Sequence, residues 1–130
     1  GKWNKNGDLY DFAFKQVVPF TFNGVIWYQG ESDSSVPEGK VYAEELCELI
    51  KIWRRDLRDE NLPFVVIQIA DYDERDDKGW HLVQEGQLKA EAMLPNVKTV
   101  ICRDISESFH IHPPTKTGVS ERIAKVLCEF

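Results

Sequence analysis

The 130-residue chain is 42% hydrophobic and carries a formal net charge of −6 at pH 7. This length suits one domain around a single core and is too short for two ordinary domains. An acidic chain with a sequence pI near 5.1 lacks the basic face that nucleic acids and anionic membranes require. A small neutral or polar ligand therefore fits the charge better than either of those partners.

Three widely spaced cysteines, Cys47, Cys102 and Cys128, form no CxxC pair. An odd count at such spacing predicts neither a disulfide framework nor a zinc site, and it favours a reduced, cytoplasmic compartment. No apolar run approaches the roughly 20 residues of a membrane span. The first 15 residues lack the basic-then-apolar order of a secretory signal, so secretion would need a leader upstream of them.

In the first half of the chain, the pattern predicts a helix, a strand and a second helix. An apolar stripe over residues 9–20 stops near Pro19 and predicts a helix. The β-branched and aromatic run over residues 24–28 is typical of a strand covered on both faces. Helical spacing resumes over residues 37–58, where Pro37 stands near the start and its missing N–H is tolerated.

In the second half, strands and helices continue to alternate. The pattern predicts strands over residues 64–70 and 97–102 and helices over residues 79–94 and 116–127. Between the first of these strands and its helix lies the charged segment "DYDERDDKG", which is typical of a solvated surface loop.

This alternation predicts an α/β three-layer sandwich with a parallel sheet, because crossover helices join parallel strands. Ligands of such sheets bind beyond the carboxyl ends of the strands. The three predicted strands run into "QGESD", "QIADYD" and "CRDISESFHIHPP". These polar ends should therefore lie on one rim of the sheet.

The first polar end offers groups that suit an oxyanion. The Gln29 amide donates without ionising, Gly30 allows close approach to the backbone, and preplaced donors against developing negative charge are a large catalytic factor. Glu31 is suited to orienting these neighbours or capping the turn. The alternative is that Gln29 and Gly30 only close a turn.

The third polar end offers a candidate base. His112 could accept the proton of a hydroxyl nucleophile, and Asp104 at the strand end could hold its imidazole in the required tautomer. A structural or merely exposed histidine and a loop-capping aspartate are the alternatives. His110 and His112 have the spacing to bind one metal ion, but no third ligand stands at a recognisable distance.

Two other features are interpreted as structural. Ser32 ends a strand but lacks the GxSxG context of a nucleophile elbow, and Ser32 followed by Asp33 and Ser34 is typical of a turn leading into a helix cap. Trp27, Trp53 and Trp80 could line a sugar site, but each lies on an otherwise apolar face. Core packing is the expected role for most of them.

The stretch "GVIWYQGESD" at residues 24–33 resembles the central signature of the sialate O-acetylesterase-like and acetylxylan esterase-like branch of the SGNH hydrolases. Before it, "LYDFAFKQVVPF" is similar to the family helix that precedes this strand. After it, "YAEELCELIKIWRRDL" and "PFVVIQIA" are similar to the next helix and strand, and "IHPPTKTGVSERIA" resembles the family's His-Pro block and last helix. The resemblance covers nearly the whole chain.

The resemblance implies an esterase that removes acetyl groups from carbohydrate hydroxyls through a serine nucleophile, without a cofactor. It assigns Gln29 and Gly30 to the oxyanion-binding block, Glu31 to its support and His112 to the base. The acid partner of His112 is open between Asp104 and no acid at all, because the positions where relatives carry an acid hold Phe109 and His110.

The chain departs from the family at the nucleophile, because residues 1–23 contain no serine and no "GQSN"-type block. We expect residues 1–130 to be a single domain and the C-terminal portion of a longer esterase, inactive alone. A non-catalytic carbohydrate-binding or scaffold module on the same fold is the competing interpretation. A hydrolase of lipid or other acyl esters is a third, which an exposed apolar groove beside Gln29 would favour.

Overall fold

Three parallel strands form the centre of the structure, a computed structural model that describes residues 7–75 and 77–130. The strands are β1 (Val25–Trp27), β2 (Phe64–Ile67) and β3 (Val97–Val100), in the order β1-β2-β3. Val25 pairs with Phe64, and Phe64 pairs with Val97. The predicted α/β fold with a parallel sheet is confirmed.

The helices alternate with the strands as predicted. A π-helical segment, Tyr10–Phe14, leads into the short α1 (Lys15–Val17), so the first helical segment ends two residues before Pro19. Val18 still has helical backbone angles, φ −52° and ψ −35°, but Pro19 has no N–H to donate to the Lys15 carbonyl, which accounts for this end. The remaining helices are α2 (Val36–Asp56), α3 (Lys78–Met93) and α4 (Thr117–Leu127).

Both crossover helices begin with a side-chain cap. Ser35 caps α2 by accepting a hydrogen bond from the Glu38 N–H at 3.3 Å. Asp77 caps α3 by accepting from the Trp80 N–H at 3.0 Å. Such caps satisfy N–H groups that have no partner inside the helix, and they fix where each helix starts after the polar end of a strand.

The core lies on both faces of the sheet. Phe64 and Val66 of β2 face α2 and α3, whereas Val65 and Ile67 face α4, as the two-residue period of a strand requires. The larger cluster contains Phe14, Tyr42, Leu46, Cys47, Ile50, Leu57, Leu62, Phe64, Val66, Ile69, Trp80, Val83, Ala90 and Val97. The smaller contains Val65, Ile67, Val100, Cys102 and Val119.

The tryptophans pack as the sequence predicts. Trp80 is fully buried in the larger cluster and donates its indole N–H to the Ala70 carbonyl at 2.9 Å. Trp27 and Trp53 are partly buried against the same cluster and meet edge to face, with ring centroids 5.7 Å apart.

Strand β1 corrects one expectation, that both of its faces are covered. Ile26, in the middle of the strand, is 53% exposed. The reason is that α4 packs against β2 and β3 and does not cover this position. In the described structure, β1 is also the edge of the sheet, with β2 as its neighbour.

Arg54 ties the opposite end of the sheet together. This residue of α2 is buried and donates hydrogen bonds of 2.8 to 3.0 Å to the carbonyls of Leu62, Pro95 and Asn96. Those carbonyls precede β2 and β3, so one guanidinium joins the amino ends of two strands. Burial lowers the pKa of Arg54 from its usual value.

The charged segment at residues 71–79 contains a 3-10 turn, Asp73–Arg75, and then the start of α3. Asp76 lies outside the described residues.

In the described part of the chain, no helix has the length and apolar character to cross a membrane. Cys47 and Cys102 are buried free thiols, and Cys128 is an exposed one.

Candidate active site

The backbone at Gly30 turns sharply just after β1. Its φ of +151° lies in a region that side chains disfavour. A Cβ at this position would stand 2.7 Å from a Val83 methyl, 3.1 Å from Gln87 Nε2 and 3.2 Å from an Ile69 methyl. Only glycine fits, so the structure gives a steric reason for the Gln-Gly pair in the sequence.

The Gln29 side chain is held by two partners. Its Nε2 donates to Asp33 Oδ2 at 2.5 Å, and its Oε1 lies 3.2 Å from the Tyr42 hydroxyl. Tyr42 lies closer, at 2.8 Å, to the main-chain carbonyl of Gln29. Within the described structure, the second N–H of the Gln29 amide has no acceptor. That N–H is the donor available to a ligand.

Residues 31–33 form a 3-10 helix that carries Glu31 and Ser32. Ser32 is exposed, whereas Ser34 is buried and donates its hydroxyl to the Glu31 carbonyl at 2.7 Å. Arg75 donates to the carbonyl and hydroxyl of Ser34, at 3.1 Å each. The predicted turn leading into the cap of α2 is confirmed, and it holds Glu31 next to Gly30.

The loop after β3 carries both histidines and reaches back to β1. His110 and His112 are exposed. At the end of this loop, Lys116 lies over the Tyr28 ring at 4.6 Å and within 3.3 Å of its hydroxyl. Because Tyr28 immediately precedes Gln29, this contact joins the histidine loop to the end of β1.

Asp104 lies in the same loop and pairs with Arg122 of α4. The two groups meet in a bidentate pair, with both N–O distances 2.7 Å, and Arg122 also donates to the Ile101 carbonyl at 2.6 Å. The hydrogen bonds from Arg122 lower the pKa of Asp104. In the described residues, neither Asp104 oxygen accepts from His112, and the role of Asp104 as acid partner stays a prediction.

Glu107 is an acid that the sequence analysis did not single out. A hydrogen bond from Thr115 lowers its pKa, and its Oε2 is buried without a partner in the described structure. The His110 N–H points to the Glu107 carbonyl at 3.5 Å. The available signal was positional, because Asp104 and Glu107 are the only acids between β3 and His112.

A polar pocket of about 400 Å³ opens beyond the carboxyl end of β2. Asp71 lines this pocket and accepts from Arg103 at 2.6 Å and Gln84 at 3.0 Å. Burial alone would raise the pKa of Asp71, but these two hydrogen bonds and the positive charge of Arg103 act together against it, and the pKa is lowered. The residues that line the pocket are Asp71, Tyr72, Asp73, Arg75, Trp80, His81, Arg103 and Ser108.

Metal coordination was the alternative role for His110 and His112. Across residues 7–75 and 77–130, no group of three or more His, Cys, Asp or Glu side chains is arranged to hold a metal ion.

Comparisons with known proteins identify an α/β protein of the carbohydrate esterase class. The family described as "Carbohydrate esterase, sialic acid-specific acetylesterase" matches residues 1–129. The chain belongs to that family, and the resemblance drawn from its motifs is confirmed.

Solved structures agree with this assignment. A carbohydrate acetylesterase from Xanthomonas citri superposes with a TM-score of 0.84 at 32% identity, covering 92% of this chain and 30% of that one. An Arabidopsis thaliana protein superposes with a TM-score of 0.77 at 26% identity, covering 98% of this chain and 55% of that one.

The Arabidopsis protein is also a curated relative, named as a probable carbohydrate esterase. The two sequences are 30% identical over an alignment of 125 residues, and the match covers 91% of this chain and 46% of the relative. The chain thus spans less than half the length of this relative.

Proposed function

We propose that the protein hydrolyses O-acetyl esters of carbohydrates, of the sialic acid or xylan type, through a serine acyl-enzyme whose serine lies outside residues 1–130. The observation that carries this proposal is the contact between Lys116 and Tyr28. It brings the histidine loop to the end of β1, where Gln29 and Gly30 lie.

In the proposed reaction, His112 accepts the proton of the serine hydroxyl as the serine oxygen attacks the acetyl carbon. The carbonyl oxygen becomes an oxyanion, which the second N–H of Gln29 stabilises. Collapse of this intermediate breaks the ester bond, and His112 returns the proton to the departing sugar oxygen. Water then repeats the sequence on the acyl-enzyme and releases acetate.

The acid partner of His112 is part of the proposal. Asp104 is the residue predicted for it, but Arg122 engages both of its oxygens. Glu107 is the alternative, because one of its carboxylate oxygens is buried without a partner in the described structure. In an active protein, the variant that loses more activity, Asp104→Asn or Glu107→Gln, identifies the acid.

The uncovered side of β1 supports a nucleophile carried by additional chain. Parallel sheets normally have both faces covered, and natural proteins protect their edge strands. Here Ile26 is exposed, and an apolar groove of about 910 Å³ runs between the π-helical segment and α2. A further strand on this edge would bring its carboxyl end beside Gln29.

The experiment measures hydrolysis of an activated acetyl ester. We expect no turnover by the 130-residue chain, and turnover when it is joined to the coding sequence upstream of Gly1. His112→Ala should abolish that turnover, and the matched control Ser32→Ala should leave it intact. Turnover by the chain alone that is lost in Ser32→Ala would refute the proposal.

A lipid or other acyl ester is the second candidate substrate, favoured by one observation. A pocket of about 330 Å³ beside Gln29 is lined mainly by apolar and aromatic residues, among them Leu9, Trp27, Leu46 and Leu49. Relative rates on acetylated xylan, acetylated sialic acid and a longer acyl ester decide between the two substrate classes.

The residues at the acid position, Phe109 and His110, favour a non-catalytic carbohydrate-binding module as the other alternative. Binding of acetylated sugar without turnover, by a protein whose upstream sequence has no Gly-Gln-Ser-Asn block, would establish that alternative.

A further inference from the structure

The hydrogen-bond ladder between β1 and β2 ends at Trp27 and Val66, before it reaches Gln29. In a parallel pair, the bonds recur every second residue along each strand. The Val25 N–H donates to the Pro63 carbonyl, so the series continued along both strands would join the Ile69 N–H to the Gln29 carbonyl. That direct bond is absent, although both residues are described.

The carboxamide of Gln87, on α3, occupies the place of the missing bond. Its Oε1 accepts from the Ile69 N–H at 2.9 Å, and its Nε2 donates to the Gln29 carbonyl at 2.9 Å. The side chain is fully buried. One amide group therefore lies between the two strands and bonds to both, as an inserted peptide unit would.

We propose that Gln87 is a positioning residue, which sets the separation of β1 and β2 at the rim and thereby places Gln29 and Gly30. Its use in catalysis rests on the proposed function, in which these two residues form the oxyanion-binding block. Gln87 itself does not touch the substrate.

Contacts of neighbouring residues explain why the inserted Gln87 carboxamide fixes the positions of the two strand ends. Gln84, one turn earlier on α3, donates to the Ile69 carbonyl at 3.1 Å, so the two glutamines hold both polar groups of Ile69. Tyr42 of α2 donates to the same Gln29 carbonyl that accepts from Gln87. Helices on one face of the sheet thus hold the ends of both strands.

The chemistry of the side chain is specific. The glutamine carboxamide carries a hydrogen-bond donor and a hydrogen-bond acceptor at the end of one side chain. An ionised glutamate keeps the acceptor for the Ile69 N–H and loses the donor to Gln29, and because burial raises the pKa of a carboxyl, this variant is measured at a pH where it is ionised. Methionine keeps the length and loses both groups. The two substitutions separate the two halves of the bridge.

The test uses the 130-residue chain and nuclear magnetic resonance, comparing Gln87→Met and Gln87→Glu with Val97→Ala. Val97 is buried at the other end of the sheet, so its truncation lowers stability without touching the bridge. The readouts are hydrogen exchange at the Ile69 amide, the carbonyl carbon shift of Gln29 and the amide shift of Gly30.

We expect Gln87→Met to accelerate exchange at Ile69 by up to about tenfold beyond the change in Val97→Ala and to shift both Gln29 and Gly30. Gln87→Glu should shift Gln29 and Gly30 but leave Ile69 protected. Unchanged Gln29 and Gly30 signals in both Gln87 variants, or equal changes in Val97→Ala, would overturn the proposal. No step requires ester hydrolysis, so failure of the proposed function leaves this result unaffected.

Discussion

Replacing Gly30 with alanine should destabilise the protein through two separable effects. The first is backbone strain, because alanine disfavours a φ of +151°; such strain costs about 1–3 kcal/mol. The second is overpacking, because the new methyl group would stand 2.7 Å from a Val83 methyl; this costs about 1–3 kcal/mol. Together they amount to about 2–6 kcal/mol of a total stability that is about 5–15 kcal/mol for domains.

Urea unfolding followed by circular dichroism measures this loss, and Gly7→Ala is the matched control. Gly7 also has a positive φ, +89°, but a Cβ there would meet nothing within 4 Å. The control therefore incurs the strain without the overpacking. At about 4 °C per kcal/mol, Gly30→Ala should lower the melting temperature by about 8–24 °C.

A Gly30→Ala variant that is no less stable than Gly7→Ala would contradict the predicted overpacking at Gly30. That result would mean that Val83 moves aside at no cost. An unchanged dependence of the unfolding free energy on urea is required for the comparison, since it shows that the same surface is exposed on unfolding.

Three further predictions concern buried and charged groups. Arg54→Met removes the donor to the Leu62 and Pro95 carbonyls, whereas the Asn96 carbonyl keeps the Phe64 N–H, and the change should cost about 1–3 kcal/mol in urea unfolding, with Arg54→Lys recovering part of the loss. The pKa of Asp71 is lowered in the folded state, so the Asp71 carboxylate stabilises the fold above its unfolded pKa of about 3.9. This stabilisation is lost as the pH falls from that value through the lower folded pKa. The unfolding free energy of Asp71→Asn should therefore depend less steeply on acid pH. Burial raises the pKa of Tyr28 to about 12, so the folded state keeps a proton that the unfolded state loses, and the unfolding free energy should fall between pH about 10 and 12. Alkaline titration of Tyr28→Phe should show a weaker fall, and an identical fall would contradict this assignment.

The order of helices and strands followed from the sequence because each element has a local signal. The apolar run before Gln68 predicts a buried strand, and Pro37 marks the start of a helix. The exposure of Ile26 did not follow, because an apolar strand has the same pattern whether or not a neighbour is present. Burial on both faces depends on contacts beyond the local sequence.

In the candidate site, too, local features were predictable from the sequence and long-range contacts were not. The turn at Gln29 and Gly30 was predictable, because polar groups after a buried strand are a local feature. The bridge by Gln87 was not, because it joins residues 58 positions apart. The ion pair of Asp104 with Arg122 was also missed, since a charged residue in a helix gives no sign of the carboxylate it contacts.

The edge of β1, which has no second neighbouring strand in the described structure, also affects how the chain behaves in concentrated solution. An unpaired strand edge beside an apolar groove can pair with another molecule of the same kind, and the net charge of −6 opposes that encounter by repulsion. Added salt screens the repulsion and leaves the apolar attraction in place. The isolated chain should therefore be most monodisperse at low ionic strength and should self-associate as salt is raised, until this edge is covered.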